Sequence, residues 1–181
     1  FALWAALSGV VPRIAIVPAR SFAGNAVIAG CSDLIVATEN SSMGMGGPAM
    51  IEGGGLGTVA PDDVGPIGMQ SKNGVVDVAV KDEAEAVEVT AKLLAFFQAD
   101  IDPVDPPDQS RLAEIIPERR RRAYDVGPLI ETLADSGSAV FLREAFAPEM
   151  VTAFIRIKGR AVGVIANNPM HMAGAITSEG A

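Results

Sequence analysis

The first forty residues alternate short apolar runs with turn residues, and this pattern predicts an α/β fold. The run RIAIV (13–17) lies between two prolines, which is typical of a buried strand. Small apolar residues at 26–31 favour a short helix, and LIVA (34–37) predicts a second strand. A strand, a tight turn, a short helix and a strand in this order predict a parallel βαβ unit.

The next elements show a change from a period of two to a helical period. GVVDVAV (74–80) alternates apolar and polar positions as a strand does, and DEAEAVEVTAKLLAFFQ (82–98) predicts an amphipathic helix with acidic residues in its first turn. Three- and four-residue steps predict a buried face on this helix. Its members are Ala84, Val87, Ala91, Leu94 and Ala95.

The second half opens with a segment rich in proline and aspartate, residues 99–110, which predicts a connector without helix or interior strand. A short element (111–117) and a helix within 123–137 follow it. Strand-like runs then occupy 139–146, 151–159 and 160–167, with Lys158-Gly159 as a hairpin turn.

The composition limits the classes of partner and chemistry. A net charge of −8 argues against nucleic acid and anionic membranes as partners, and the apolar start FALWAALSGVV is too short to span a bilayer. Cys31 is the single cysteine, so we expect a buried, inert thiol and a reducing compartment. His171 is the single histidine, which excludes a multi-histidine metal site, and we expect no metal in this chain.

The segment GMGGPAMIEGGGLG (44–57) has seven glycines in fourteen positions and raises the question of which ligand approaches it. Gly44, Gly46 and Ala49 fit a dinucleotide fingerprint. That fingerprint needs a helix directly after the loop, and three consecutive glycines make a sustained helix costly. No Gly-Lys-Ser/Thr follows either, so we do not expect a nucleotide phosphate here.

The stretch SFAGNA (21–26) predicts a strand that ends in a tight turn and enters a helix of small residues. The backbone N–H groups of such a turn can hold a developing enolate oxygen. Many turns between a strand and a helix have this composition, so from the residues alone a purely structural turn stays open as the alternative.

Two long stretches resemble a known family. The first is FAGNAVIAGCSDLIVATENSSMGMGGPAMIEGGGLG, with the PDDVGP and NGVVDVAVKDEAEAV segments after it. The second is IIPERRRRAYDVGPLIETLADSGSAVFLREAFAPEMVTAFIRIKGRAVGVIANNP. Both are similar to the carboxyltransferase (β) subunit of biotin-dependent acyl-CoA carboxylases. The resemblance implies an α/β fold of the crotonase-like ββα superhelix type. It also implies the end of an N-terminal acyl-CoA domain (1–98), a linker (99–117) and the start of a C-terminal biotin domain (118–181).

The resemblance further implies the activity, which moves a carboxyl group from carboxybiotin to the α-carbon of an acyl-CoA. Gly24 and Asn25 would supply backbone N–H donors as an oxyanion hole, where many relatives have Gly-Gly. Phe22, Ala23, Gly46 and Gly47 would form a wall for acyl-CoA. The partners would be a biotin carboxylase or biotin carrier subunit and further copies of the chain, with the active site at a dimer interface. The location would be the cytoplasm or the mitochondrial matrix.

The same resemblance implies that the chain is a fragment that is inactive alone, because the second oxyanion hole would lie beyond it. Arg119 and Arg120 could meet CoA phosphates, although a run of arginines is more often a solvated surface. An acid–base role for Glu52, Asp62 and Asp63 is the weaker interpretation beside surface carboxylates. A crotonase-type hydratase or isomerase and a non-catalytic assembly fragment are the alternative functions.

Overall fold

The computed structural model describes residues 1–119 and 122–181, which form two compact units, Phe1–Ala91 and Lys92–Ala181. The predicted boundaries at residues 98 and 117 stay a prediction, since a division by compactness does not locate a linker.

The first unit is built on a parallel sheet with the strand order β1-β3-β5. Its strands are β1 (Ile14–Val17), β3 (Leu34–Thr38) and β5 (Val78–Val80), and all five residues of the central β3 are buried. Helix α2 (Gly24–Gly30) lies between β1 and β3 in the chain. The predicted parallel βαβ unit is therefore confirmed, with Ile14 opposite Leu34.

A second, two-stranded parallel sheet was not predicted. It pairs β2 (Arg20–Phe22) with β4 (Ser42–Gly44), and Phe22 lies opposite Gly44. Strand β2 follows β1, and β4 follows β3. The two segments that leave the first sheet therefore pair a second time, as the second sheet. This pairing brings the end of β2 to the start of the glycine-rich segment.

The core of the first unit is made of small and β-branched side chains. Ala26 and Ala29 are the buried residues of α2, and such small side chains let a helix approach the sheet closely. The buried cluster comprises Val17, Ala26, Ala29, Ile35, Ala37, Met43, Ile67 and Val76.

The remaining helices up to residue 95 are short, except the last, which crosses the division between the two units at Ala91. They are α1 (Ala2–Ala6), α3 (Pro48–Gly53), a 3₁₀ turn (Pro61–Asp63), α4 (Ile67–Lys72) and α5 (Glu83–Ala95). The glycine-rich segment thus contains a helix, α3, which begins at a proline and ends where the three glycines begin.

The predicted buried face of α5 is wrong. Val87 is 62% exposed and Leu94 37% exposed, whereas Ala86 and Leu93 are fully buried. Positions 86 and 93 are seven residues apart, so they also satisfy the helical period. The sequence carries two apolar stripes on this helix, and periodicity alone cannot choose between them.

The second unit is an antiparallel sheet with helices at its start. The connector before it has no helix or strand up to residue 108, as predicted. Next come a 3₁₀ turn (Gln109–Arg111), α6 (Leu112–Ile115) and α7 (Gly127–Leu133). The sheet has the order β6-β7-β8, with strands β6 (Val140–Leu142), β7 (Met150–Ile157) and β8 (Arg160–Asn167).

Helix α7 and the sheet bury one cluster between them, which consists of Val126, Ile130, Ala134, Ala153 and Ile155. The hairpin predicted at Lys158-Gly159 is confirmed. Ile157 pairs with Arg160, so the loop has two residues, and both have positive φ (52° and 80°). This is the backbone that two-residue hairpins prefer.

Candidate functional site

The turn between β2 and α2 has an unusual backbone. Ala23 links the last residue of β2 to the first residue of α2 with φ 50° and ψ −121°, a conformation that favours glycine. Its N–H donates to the carbonyl of Gly44 (3.2 Å), and its carbonyl accepts the first helical hydrogen bond from Val27 N–H (3.0 Å). Both polar groups of the strained residue are therefore used to hold the turn.

The next two residues leave their N–H groups outside the helical ladder. Gly24 and Asn25 are the first two residues of α2, and the first N–H groups of an α-helix have no intrahelical acceptor. Two adjacent backbone donors in a fixed turn can stabilise an oxygen atom that gains negative charge. The oxyanion-hole role of Gly24 and Asn25 stays a prediction, and their place at the start of α2 is compatible with it.

The space around this turn is mostly open. A Cβ atom at Gly24 would lie 3.7 Å from the ring of Phe1, an ordinary contact distance. Asn25 lines a cavity of about 420 Å³ in the first unit, whose other lining residues are mainly apolar. These include Trp4, Ile14, Ile16, Val17 and Ile28.

The glycine-rich segment reaches this turn through Phe22. A Cβ atom at Gly47 would lie 3.2 Å from Cδ2 of Phe22, whereas one at Gly46 would meet Met50 at 3.8 Å. The sequence pointed to both glycines as a ligand wall. The structure brings Phe22, Ala23, Gly24 and Gly47 together, and it shows that the bare face of Gly47 is turned to an aromatic ring.

An ion pair that sequence reasoning missed lies beside the turn. Arg20 Nε and Nη2 donate to the two carboxylate oxygens of Asp62 at 2.6 and 2.8 Å. These hydrogen bonds, and then the charge of Arg20, hold the pKa of Asp62 below its ordinary value. The pair joins the start of β2 to the 3₁₀ turn that follows the glycine-rich segment.

The carboxylates considered for acid–base chemistry are all exposed, namely Glu52, Asp62 and Asp63. Asp62 is engaged by Arg20, which fits a surface ion pair better than a proton carrier. Within the described ranges, no group of three His, Cys, Asp or Glu side chains could hold a metal ion.

The arginine run stays a prediction. Arg119 belongs to the second unit and is exposed, and Arg120 lies outside the described residues.

The expectation that Cys31 is buried is wrong, because this cysteine is exposed. Cys31 is the C-cap residue of α2.

The second unit holds the remaining polar residues of interest. The Asp125 carboxylate accepts from Gly127 N–H (3.0 Å) and from Asn168 Nδ2 (3.2 Å), so it ties the start of α7 to the chain after β8. His171 and Asp125 line a cavity of about 390 Å³ in this unit. No helix in the described part of the chain is long and apolar enough to cross a membrane.

Comparison with known families decides the identity of this fold. The model of the carboxyl transferase domain matches residues 1–181. The chain belongs to the carboxyl transferase domain family.

Two relatives agree with this assignment. The carboxylase YngE of Bacillus subtilis (strain 168), itself uncharacterized, is 31% identical over 97% of this chain. The methylmalonyl-CoA carboxyltransferase 12S subunit of Propionibacterium freudenreichii subsp. shermanii is 30% identical over 94% of this chain.

Solved structures give the same result. A single-chain, multi-domain long-chain acyl-CoA carboxylase superposes with a TM-score of 0.95 at 45% identity, over 98% of this chain and 18% of that one. Transcarboxylase 12S, solved with methylmalonyl-coenzyme A and methylmalonic acid bound, gives a TM-score of 0.85 at 28% identity, over 98% of this chain and 36% of that one. The expected α/β fold of crotonase-like carboxyltransferases is confirmed. This carboxyl transferase domain spans about a third of the two curated relatives, 36% and 34% of their lengths.

Proposed function

We propose that this carboxyl transferase domain belongs to the carboxyltransferase component of a biotin-dependent acyl-CoA carboxylase. The reaction moves a carboxyl group from carboxybiotin to the α-carbon of an acyl-CoA. Family membership supports the proposal, and so do relatives named as biotin-dependent acyl-CoA carboxylase β subunits. The observation that carries it is the turn at Ala23, which leaves two adjacent N–H donors, those of Gly24 and Asn25, outside the helical ladder.

The chemistry of the substrate explains why such donors suffice. The transfer would break the N–C bond of carboxybiotin and form a C–C bond at the α-carbon, and the proton that the α-carbon loses would pass to the freed biotin nitrogen. As the α-carbon loses this proton, negative charge moves to the thioester oxygen. Donors that are already in place stabilise this charge more in the transition state than in the bound substrate, so they lower the barrier. Gly24 and Asn25 would bind this oxygen through their N–H groups, and no side-chain nucleophile is required.

Carboxybiotin is the second substrate and supplies the carboxyl group. The family resemblance puts its oxyanion hole beyond this chain, so we assign no described residue to it. On this proposal residues 118–181 begin the biotin domain, and residues 1–98 hold the acyl-CoA. Since one of the two holes is outside, the chain alone is not expected to transfer carboxyl groups.

The proposal extends to partners and location. The carrier would be a biotin carboxylase or biotin carrier subunit, and copies of the carboxyltransferase would meet with the active site at a dimer interface. A cytoplasmic or mitochondrial matrix location fits an exposed, unpaired Cys31, which a reducing compartment keeps as a thiol.

The test uses the full protein that contains this domain, with its biotin carrier. Asn25→Pro removes one N–H in the first helical turn, where that N–H has no intrahelical acceptor. We expect kcat to fall about 10²- to 10³-fold, as for other oxyanion-hole donors. The matched control is Asn25→Gly, which keeps the N–H and should keep kcat within a few-fold.

Thermal unfolding of both variants checks that they fold. Full activity of a folded Asn25→Pro enzyme would overturn the assignment of the hole. Absence of carboxyl transfer to any acyl-CoA by the complete wild-type protein would overturn the proposed function itself.

A further inference from the structure

Gly47 has no backbone reason to be glycine. Its φ is −78° and its ψ is 174°, which is extended backbone that any residue adopts. It directly precedes Pro48, the first residue of α3, and it needs no left-handed conformation there. Glycine is common as an N-cap, and here the absence of its side chain also serves a steric purpose.

That purpose is contact with Phe22. A Cβ atom at Gly47 would lie 3.2 Å from Cδ2 of Phe22 and 3.3 Å from its Cβ and Cγ. Carbon atoms pack best at about 3.5–4.0 Å, so such an atom would have to push the ring away. Two of these three atoms lie at the root of the side chain, where movement of the ring tip gives little relief.

Crowding differs along the same segment. A Cβ atom at Gly44 would lie 3.0 Å from Cγ1 of Val64, and one at Gly54 would lie 3.2 Å from the carbonyl oxygen of Met50, so neither meets Phe22. A Cβ atom at Gly53, the last residue of α3, would meet nothing within 4 Å. The tight contact with Phe22 is thus a property of position 47 and not of the glycine-rich segment as a whole.

Phe22 in turn adjoins the turn that carries the donors. It is the last residue of β2 and pairs with Gly44, and the following residue, Ala23, donates its N–H to the Gly44 carbonyl. A strained residue such as Ala23 persists only where its surroundings hold it in place. Pairing with β4 holds one side of Phe22, and the backbone at Gly47 holds the ring.

We propose that Gly47 is a positioning residue, which acts through Phe22 on the direction of the Gly24 and Asn25 N–H groups. Without a side chain, Gly47 lets the Phe22 ring lie against the glycine-rich segment and fixes the end of β2. This inference rests on the proposed function, because it gives the turn a catalytic task. It differs from a ligand wall, in which the bare face of Gly47 would be turned to acyl-CoA.

The test compares Gly47→Ala and Gly47→Val with Gly53→Ala in the full protein and its biotin carrier. A displacement of about 1 Å at a reacting centre can cost about 10²-fold in rate. We therefore expect kcat to fall about 10-fold for alanine and about 10²-fold for valine, with KM for acyl-CoA changed less than about threefold. Gly53→Ala should match the wild type in both constants.

Rescue separates positioning from a direct clash with substrate. A Phe22→Ala background removes Cγ and Cδ2, two of the three crowded atoms, so Gly47→Ala should lose less of its kcat there than it does beside phenylalanine. A rise of KM without a fall of kcat, or equal losses in both backgrounds, would overturn the proposal in favour of a ligand wall.

A measurement on the free enzyme keeps this inference distinct from the proposed function. Hydrogen exchange followed by mass spectrometry reports the peptide that contains residues 20–30. Faster exchange there in Gly47→Ala than in Gly53→Ala supports the positioning of the turn, even if the wild type transfers no carboxyl group, which would overturn the function alone. Unchanged exchange together with unchanged kcat in an active enzyme would overturn the inference alone.

Discussion

Two tight turns of this molecule, one in each unit, share a positive φ and differ in what is known of the acceptors of their N–H groups. The turn at Ala23 in the first unit and the turn at Lys158-Gly159 in the second both have positive φ. In the hairpin, the buried Asp135 carboxylate accepts from the N–H groups of Lys158 and Gly159 at 2.8 and 2.7 Å. In the first turn the N–H groups of Gly24 and Asn25 are left by the helix for another acceptor.

The difference supports the proposal that the first turn is functional and the hairpin turn is structural. Adjacent N–H groups that point the same way bind an anionic oxygen wherever they occur. The second unit supplies that oxygen from its own chain, so its turn is closed to ligands. In the first unit the N–H groups of Gly24 and Asn25 lie in the first turn of α2, outside its ladder, which agrees with the proposal that this turn receives the oxygen of a substrate.

The largest expected contrast comes from adding one methyl group to each turn. A Cβ atom at Gly159 would lie 2.0 Å from the carbonyl oxygen of Ile101, and the φ of 80° is strained for alanine. We expect Gly159→Ala to destabilise the protein by about 3 kcal/mol or more, as strained and overpacked sites do. Thermal unfolding and the soluble yield measure this loss.

Gly24→Ala is the matched substitution in the first turn. Its Cβ atom would meet only the Phe1 ring, at 3.7 Å, so folding should be unchanged within about 0.5 kcal/mol. The methyl group would instead stand beside the proposed oxyanion hole, and we expect weaker acyl-CoA binding by titration. A large loss of stability in Gly24→Ala with intact binding would reverse the roles assigned to the two turns.

A smaller effect is expected from relieving the strain in each turn. Ala23 and Lys158 have φ of 50° and 52°, and glycine adopts such angles at little cost. In the opposite direction, glycine makes the unfolded chain more flexible, which lowers the free energy of unfolding by about 0.4–1 kcal/mol. Ala23→Gly and Lys158→Gly should therefore change this free energy by about 1 kcal/mol at most.

The two variants should differ in activity. A more mobile residue before Gly24 loosens the donors, so Ala23→Gly should lower kcat several-fold, whereas Lys158→Gly should leave kcat at the wild-type value. Steady-state kinetics and thermal unfolding of both variants make the comparison. Equal kcat values would mean that the strain at Ala23 has no part in the positioning of the donors.

The sequence predicted the local parts of both turns and missed their non-local partners. The hairpin follows from Lys158-Gly159 between two strand-like runs, and the first turn from a strand, Gly24 and a helix of small residues. In contrast, β2 and β4 have three residues each and no apolar alternation, so nothing local predicts their pairing. Contact between Gly47 and Phe22 follows from that pairing, and it was invisible for the same reason.

The burial of individual side chains is what the sequence predicted least well. On α5 two apolar stripes satisfy the same period, and the stripe with Ala86 and Leu93 is the buried one. The choice between such stripes depends on what the helix packs against, which the sequence of the helix does not contain. Cys31 was likewise predicted to be buried from its residue type and is exposed at the end of a short helix. Residue type predicts a preference for burial, whereas position at an element's end can override it.

The smallest expected effect concerns the ion pair that holds the start of β2 beside the first turn. Arg20 lowers the pKa of Asp62, chiefly by its hydrogen bonds, and both side chains are more than half exposed. A lowered folded pKa contributes stability that is present above the ordinary Asp pKa and is lost as the pH falls through the folded value. The wild type should therefore lose this small contribution only in acid, below a pH of about 4.

Arg20→Gln tests this directly, because it removes the charge and keeps a polar side chain of similar length. The variant should unfold at a slightly lower temperature than the wild type at pH 7, and the two midpoints should converge as the pH falls below about 4. The difference should also shrink in high salt, since exposed charges are screened. A difference that stays the same in acid would mean that Arg20 stabilises β2 through packing of its stem and not through the charge of Asp62.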